Sequence, residues 1–159
     1  MMPSSGDDVS GKSRLQNVIF FTGLALYVLS FFLPVFKDTV GSKSISGWRC
    51  AYAALFLWVI DLGPNTIPWL NVGYRLGGFG GIVNPIAVAY TVLRVLDLAR
   101  GTQRVLAALI LLCILLTWTS LVILCLQDAD CPGLGHAVWV AGLLLMISVP
   151  FWESFRQSL

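Results

Sequence analysis

The chain is dominated by long apolar segments that are separated by short polar turns and hold almost no ionisable group near their centres. A bilayer core is about 30 Å thick and needs roughly 20 apolar residues for each helical crossing. Because hydrocarbon offers no water to backbone N–H and C=O groups, a continuous apolar segment satisfies them by forming a helix. The sequence therefore predicts an all-α fold, an integral membrane helical bundle.

Composition agrees with this fold class. Of the 159 residues, 57% are hydrophobic and 11% are charged, and the mean hydropathy is +0.83. A soluble domain of this size could not bury so much apolar surface. The net charge of +2 is spread along the chain without a basic run. We therefore expect a bilayer environment and no nucleic-acid partner.

Four segments have the length and composition of membrane crossings. The first 14 residues are polar and small, and we predict that they form a flexible tail. Residues 15–159 then form one membrane-embedded domain, in which the predicted crossings are 15–36, 78–99, 105–127 and 135–153.

A fifth apolar segment, 48–62, is shorter than the others. It would reach only about 22 Å as a helix, and Arg49 and Asp61 bound it. Prolines, glycines and the interfacial aromatics Trp69 and Tyr74 follow. We predict that this region is re-entrant or interfacial, and a fifth crossing is the alternative.

Lys and Arg residues concentrate on the cytoplasmic side of membrane proteins. With four crossings and the N-terminus inside, six of the ten Lys and Arg residues lie inside; with five crossings and the N-terminus outside, seven do. Both arrangements place the turn from Arg100 to Arg104 and the C-terminus inside and the acidic turn QDADCPG outside. We therefore predict a cytoplasmic C-terminus, whereas the side of the N-terminus depends on the count.

The four cysteines form no C-x-x-C pair, which the membrane thiol oxidoreductases use. Cys113 and Cys125 lie within one apolar segment, where a thiol behaves as a small hydrophobe. Cys50 and Cys131 would both lie near the outer surface in the four-crossing arrangement. They are candidates for a structural disulfide in an oxidising compartment.

Gly73, Gly77 and Gly81 recur every four residues. On a helix they would line one face and allow another backbone to approach closely, as small-xxx-small motifs do. The pairs Gly77-Gly78 and Gly80-Gly81 also suit an irregular backbone. In either case we predict tight helix packing at these glycines.

Arg94 and Asp97 lie near the end of the crossing predicted over 78–99. Their spacing of three lets them share a helical face and form an ion pair near the interface. The alternative is an ion or proton path in which Asp97 titrates. Polar groups that could join it are Asn84 and the hydroxyl cluster Thr117, Thr119 and Ser120, although such hydroxyls usually bond their own helix backbone.

The single histidine, His136, lies where the last crossing begins. A metal site with Asp130 and Cys131 would have an unusual ligand set and spacing, so we predict an ordinary interfacial histidine and no metal or cofactor. No nucleophile, acid and base are arranged for catalysis, and the phosphate-binding glycine spacings are missing. We expect no enzyme, with a membrane thiol or lipid enzyme as an open alternative.

Several short motifs are spread over most of the chain: LYVLSFFLPVF, then GW, then NP opening a helix, then GHAVW opening the last one. This layout resembles uncharacterised small bacterial multi-pass inner-membrane proteins, whose pattern is LSxxLP, GW, ANP and GYxLW. Val83 stands where that pattern has Ala, and His136 stands where it has Tyr. The resemblance implies a bacterial inner (plasma) membrane location and no particular activity.

These observations predict a non-enzymatic accessory or interaction subunit of a membrane assembly. Its expected partners are the lipid bilayer and another membrane protein, or further copies of the same chain. The alternative is a small channel or transporter that uses Asp97 and neighbouring polar groups.

Overall fold

The computed structural model describes residues 6–37, 44–57, 68–126 and 133–157. These ranges hold six helices and one small antiparallel hairpin. In chain order the elements are α1 (Gly6–Ser30), β1 (Pro34–Lys37), β2 (Ser44–Ser46), α2 (Gly47–Ala54), α3 (Pro68–Gly77), α4 (Phe79–Val95), α5 (Arg100–Cys125) and α6 (Leu134–Gln157).

Within the described residues, three helical stretches are long and apolar enough to cross a membrane, and they are Asn71–Val95, Arg100–Cys125 and Leu134–Trp152. A shorter apolar helix, Arg14–Ser30, accompanies them. The chain is therefore a helical integral membrane protein, as the sequence predicts. The first stretch joins the end of α3 to α4 through Gly78, whose backbone keeps right-handed helical angles.

The first helix differs at both ends from the crossing predicted over 15–36. The helix begins at Gly6, inside the predicted tail 1–14, because extending an established helix costs far less than nucleating one. It ends at Ser30, before the predicted end at residue 36. Pro34 lacks an N–H and biases the residue before it toward extended backbone, so the chain leaves the helix there and forms β1.

The glycine-rich stretch is helical, which decides between the two conformations that the sequence allows. As a result, the second long apolar stretch begins seven residues before the predicted start at 78. It ends at Val95, four residues before the predicted end, because Asp97 and Ala99 adopt left-handed backbone angles with φ of 49° and 48°. The next helix begins at Arg100 and not at 105.

Helix α6 is the most buried of the three long apolar helices, because 56% of the residues in its apolar 18-residue stretch lie inside the protein. Its closest neighbour is α1, and the two backbones touch at Gly23 and Gly142. A Cβ atom on Gly142 would lie 2.6 Å from the Tyr27 nitrogen, and one on Gly23 would lie 2.8 Å from the Gly142 carbonyl oxygen. Only glycine permits this approach, which small residues commonly provide in membrane bundles.

Three segments meet by backbone contact at one end of the bundle. The N–H groups of Gly47 and Trp48, at the start of α2, donate to the carbonyls of Leu33 and Phe31. At the start of α6, the Gly133 N–H donates to the Val35 carbonyl. The hairpin therefore fixes the end of α1 against the first turns of α2 and α6, and we call this the hairpin end.

Helix α2 has eight residues and reaches about 12 Å, which is too short to cross a bilayer. It begins at the hairpin end and runs inward until Ala54 and Leu55 meet Gly81 of α4. Gly73 of α3 lies beside Ile123 and Leu124, near the end of α5. Both α2 and α3 thus begin at the hairpin end of the bundle. Residues 58–62 of the segment predicted over 48–62 lie outside the described residues.

Candidate functional site

A cavity of about 230 Å³ lies in the half of the bundle nearest the hairpin end. It is lined by α2 on one side, by α3, α4, α5 and α6 on the others, and by the end of α1 and the hairpin. The described side chains that line it are apolar or neutral and polar, and none of them is charged. The polar members are Ser30, Cys50, Tyr74, Asn84, Thr117, Ser120 and His136.

Asn84 is the hydrogen-bond centre of the cavity wall. Its Oδ1 accepts from the Tyr27 hydroxyl of α1 at 2.9 Å and from the Trp139 indole N–H of α6 at 3.4 Å. Its Nδ2 donates to the Gly80 carbonyl at 3.3 Å within its own helix. One amide thus joins three helices, which explains an Asn beside Pro85 in an otherwise apolar helix.

The hydroxyl cluster of α5 divides between two roles. Thr117 and Thr119 donate to the carbonyls of Cys113 and Leu115, four residues before them, as predicted from sequence. Ser120 differs, because its Oγ donates to the Gly73 carbonyl of α3 at 2.7 Å and is buried. Ser120 therefore joins two helices, a role that sequence reasoning missed.

The predicted glycine strip lies against two different neighbours. A Cβ on Gly73 would lie 3.1 Å from the Ile123 side chain, and one on Gly77 would lie 3.1 Å from the Ser120 Oγ, both on α5. A Cβ on Gly81 would lie 2.7 Å from the Leu55 backbone nitrogen, just beyond α2. Gly77 and Gly80 also line the cavity, so the strip forms part of its wall.

His136 is 7% exposed, although the sequence predicts an interfacial residue. Its ring lies between Trp139, with centroids 5.3 Å apart, and Trp118, at 5.8 Å. The Nε2 atom is buried and has no hydrogen-bond partner among the residues that the structure describes. Buried polar atoms normally have a partner, so His136, which lines the cavity, carries an unused hydrogen-bonding position in its ring.

Cys50 lies on α2 and lines the cavity, half-buried. Its thiol is free among the described residues. Cys131, which the sequence suggests as its disulfide partner, lies outside the described residues. The pairing stays a prediction.

Arg94 and Asp97 are not part of the cavity. Arg94 lies in the last turn of α4, and Asp97 lies beyond the end of that helix in the short connection to α5. The Asp97 carboxylate lies 3.6 Å from the Arg100 guanidinium, and both side chains are well exposed. Asp97 therefore belongs to a surface ion pair at the opposite end of the bundle from the hairpin.

The chemical capacity of the site follows from these groups. In the described part of the chain, no group of three His, Cys, Asp or Glu side chains is arranged to hold a metal ion. The cavity offers apolar surface together with a few uncharged donors and acceptors. Such a lining is typical of sites that bind small apolar molecules and orient them through one or two polar groups.

Comparison with protein-family models, with curated proteins and with solved structures found no match. The resemblance to small bacterial inner-membrane proteins stays a prediction.

Proposed function

We propose that this chain is a non-enzymatic multi-pass membrane protein that acts by association, as an accessory or interaction subunit of a membrane assembly. The observation that carries the proposal is that interior polar groups form hydrogen bonds between helices of the same chain. Asn84, Ser120 and Tyr90 each hydrogen-bond to another helix, and so they hold the bundle together. The role of such a bundle is to present a defined shape within the membrane.

The proposed topology has four crossings, formed by α1, by α3 with α4, by α5 and by α6. The short reach of α2 supports this count, and so does the start of both α2 and α3 at the hairpin end. In this topology α2 belongs to the re-entrant or interfacial segment predicted over 48–62, of which residues 58–62 lie outside the described residues.

We further propose that the protein lies in a bacterial inner membrane with its C-terminus in the cytoplasm. Arg94, Arg100 and Arg104 lie around the connection between α4 and α5, opposite the hairpin end. Positive residues favour the cytoplasmic side. Thr102 is exposed in the first turn of α5. A Thr102→Cys variant should react with an impermeant maleimide only after cells are opened. Labelling in intact cells would reverse the orientation.

Native purification in a mild detergent tests the association role. A stoichiometric membrane protein, or a defined oligomer of this chain, would support the proposal. A monomer that carries lipid alone would contradict it and would favour a self-contained function.

Photo-crosslinking identifies the face that a partner uses. A benzoylphenylalanine can replace one exposed residue on each of four helices, and suitable positions are Phe21, Val92, Leu112 and Leu144. We expect protein crosslinks from one or two of these faces and only lipid adducts from the rest. Lipid adducts from all four positions would contradict the proposal.

A further inference from the structure

We propose that the cavity beneath α2 binds an uncharged lipid that carries a hydroxyl group, with the hydroxyl at His136. Two independent observations point to this ligand. The first is a cavity of about 230 Å³ with an apolar lining. The second is His136, which lines that cavity, is 7% exposed and has an Nε2 atom without a hydrogen-bond partner in the described residues.

The lining selects an uncharged ligand. A carboxylate or ammonium group would lose its hydration in the cavity and would meet no opposite charge among the described lining residues, at a large free-energy cost. A hydroxyl group loses much less. It can also replace its water partners with the polar atoms of the wall.

The wall favours a group that both donates and accepts. Thr117 and Ser120 already donate their hydroxyl hydrogens to backbone carbonyls, so their oxygens are left to accept. The neutral His136 Nε2 either donates or accepts, according to its tautomer. A ligand hydroxyl matches this set, because it carries one donor and two acceptor lone pairs.

The cavity also has a route for a lipid. Ile45 and Ala53 line it and are exposed at the protein surface. The apolar body of a lipid can therefore enter beside α2 while its hydroxyl reaches inward. This inference does not depend on the protein partner proposed above, because the site is built within one chain.

Photolabelling of the purified full chain in phosphatidylcholine liposomes tests the inference. The probe is hexadecanol with a diazirine in its chain, and hexadecanoic acid with the same diazirine is the comparison. We expect saturable labelling of peptides from α2 and α5 by the alcohol. The acid should label these peptides several-fold less.

Two variants address the histidine. His136→Phe keeps an aromatic ring but removes both nitrogens, and it should weaken the apparent affinity for the alcohol about fivefold, as the loss of one hydrogen bond does. His136→Gln restores a polar group and should recover part of the affinity. Equal labelling of the parent chain and a folded His136→Phe variant would overturn the proposal, as would equal labelling by alcohol and acid.

A variant that fills the cavity, together with a matched control, gives a second test. Ala51→Phe places a ring in the cavity and should abolish the saturable labelling, whereas Ala89→Phe adds the same ring to the exposed face of α4, away from the cavity. Melting in detergent shows whether each variant folds. Unchanged saturable labelling in a folded Ala51→Phe variant would overturn the proposal. If that variant does not fold, the labelling of the His136→Phe and His136→Gln variants tests the proposal.

Discussion

The hydroxyl of Tyr90 on α4 donates a hydrogen bond of 2.9 Å to the Met146 carbonyl of α6. This carbonyl lies four residues before Pro150, which is inside α6 and has no N–H to give it. Tyr90 is completely buried, so no water replaces the missing donor. One helix thus supplies the hydrogen bond that a proline removed from another.

Removal of the Tyr90 hydroxyl tests this relationship. We expect Tyr90→Phe to lower the free energy of unfolding by about 1–3 kcal/mol, because it leaves a buried carbonyl unsatisfied. In a Pro150→Ala background the helix can regain its own N–H donor, so the same substitution should cost clearly less. Denaturant titration of the four proteins in mixed micelles measures the coupling. Equal costs in both backgrounds would show that Tyr90 does not compensate for Pro150.

The contact between Gly23 and Gly142 predicts a sharp dependence on side-chain size. Gly142→Leu should lower the free energy of unfolding by about 3 kcal/mol or prevent folding, because the helices α1 and α6 must separate to make room. The neighbouring residue Ala141 is exposed, so Ala141→Leu should leave the free energy of unfolding nearly unchanged. Thermal melting in detergent compares the two. Similar melting temperatures would mean that the backbones do not meet at Gly142.

Ser120 and Thr119 are adjacent hydroxyls with different partners, which makes them a matched pair. Ser120→Ala should destabilise the protein by about 1–2 kcal/mol, since it removes a buried hydrogen bond to another helix. Thr119→Ala removes only an exposed bond within α5 and should cost less than 0.5 kcal/mol, roughly the usual surface effect. Mixed-micelle unfolding measures both. A larger effect at Thr119 would contradict the assignment of Ser120 as the interhelical contact.

Thiol labelling tests the disulfide between Cys50 and Cys131. In intact cells we expect an impermeant maleimide to label Cys131 only after reduction, or without reduction in a Cys50→Ser variant. Cys113→Ser is the control, because this thiol is buried within α5 and should leave the labelling unchanged. Free labelling of Cys131 in the parent chain would exclude the disulfide.

Asp97 allows a test of the channel alternative. Its carboxylate is exposed beside Arg100, so Asp97→Asn should change stability by less than about 1 kcal/mol. Reconstituted vesicles should show the same proton and cation flux for Asp97→Asn as for the parent chain. A pH-dependent flux that the substitution abolishes would favour a channel or transporter and contradict the accessory role.

The length of the apolar segments predicted the membrane bundle, because the thickness of a bilayer fixes how many apolar residues a helix needs. Helix ends were harder to predict. Pro34 marks the end of the first crossing, but hydrophobicity continues through Phe36 and concealed the change to a strand. The start at Gly6 depends on helix propagation, which composition does not show.

The candidate site could be predicted only in part. Asn84 and the Thr117 to Ser120 cluster attract attention because polar groups are rare inside apolar helices. The sequence singles out His136 but not its burial, which results from the packing of Trp118 and Trp139 against its ring in three dimensions. The contacts of Gly23 with Gly142 and of Ser120 with Gly73 join distant parts of the chain, and a single sequence carries no signal for them.

The pairing of α1 with α6 also governs the order of assembly during synthesis. Helix α1 emerges from the ribosome before the other elements, yet its glycine-lined face fits a helix that is made more than a hundred residues later. Until then this face must contact lipid or a chaperone of the insertion machinery. The contact between α1 and α6 therefore forms only after α6 has been made, and slowing translation ahead of α6 should delay it.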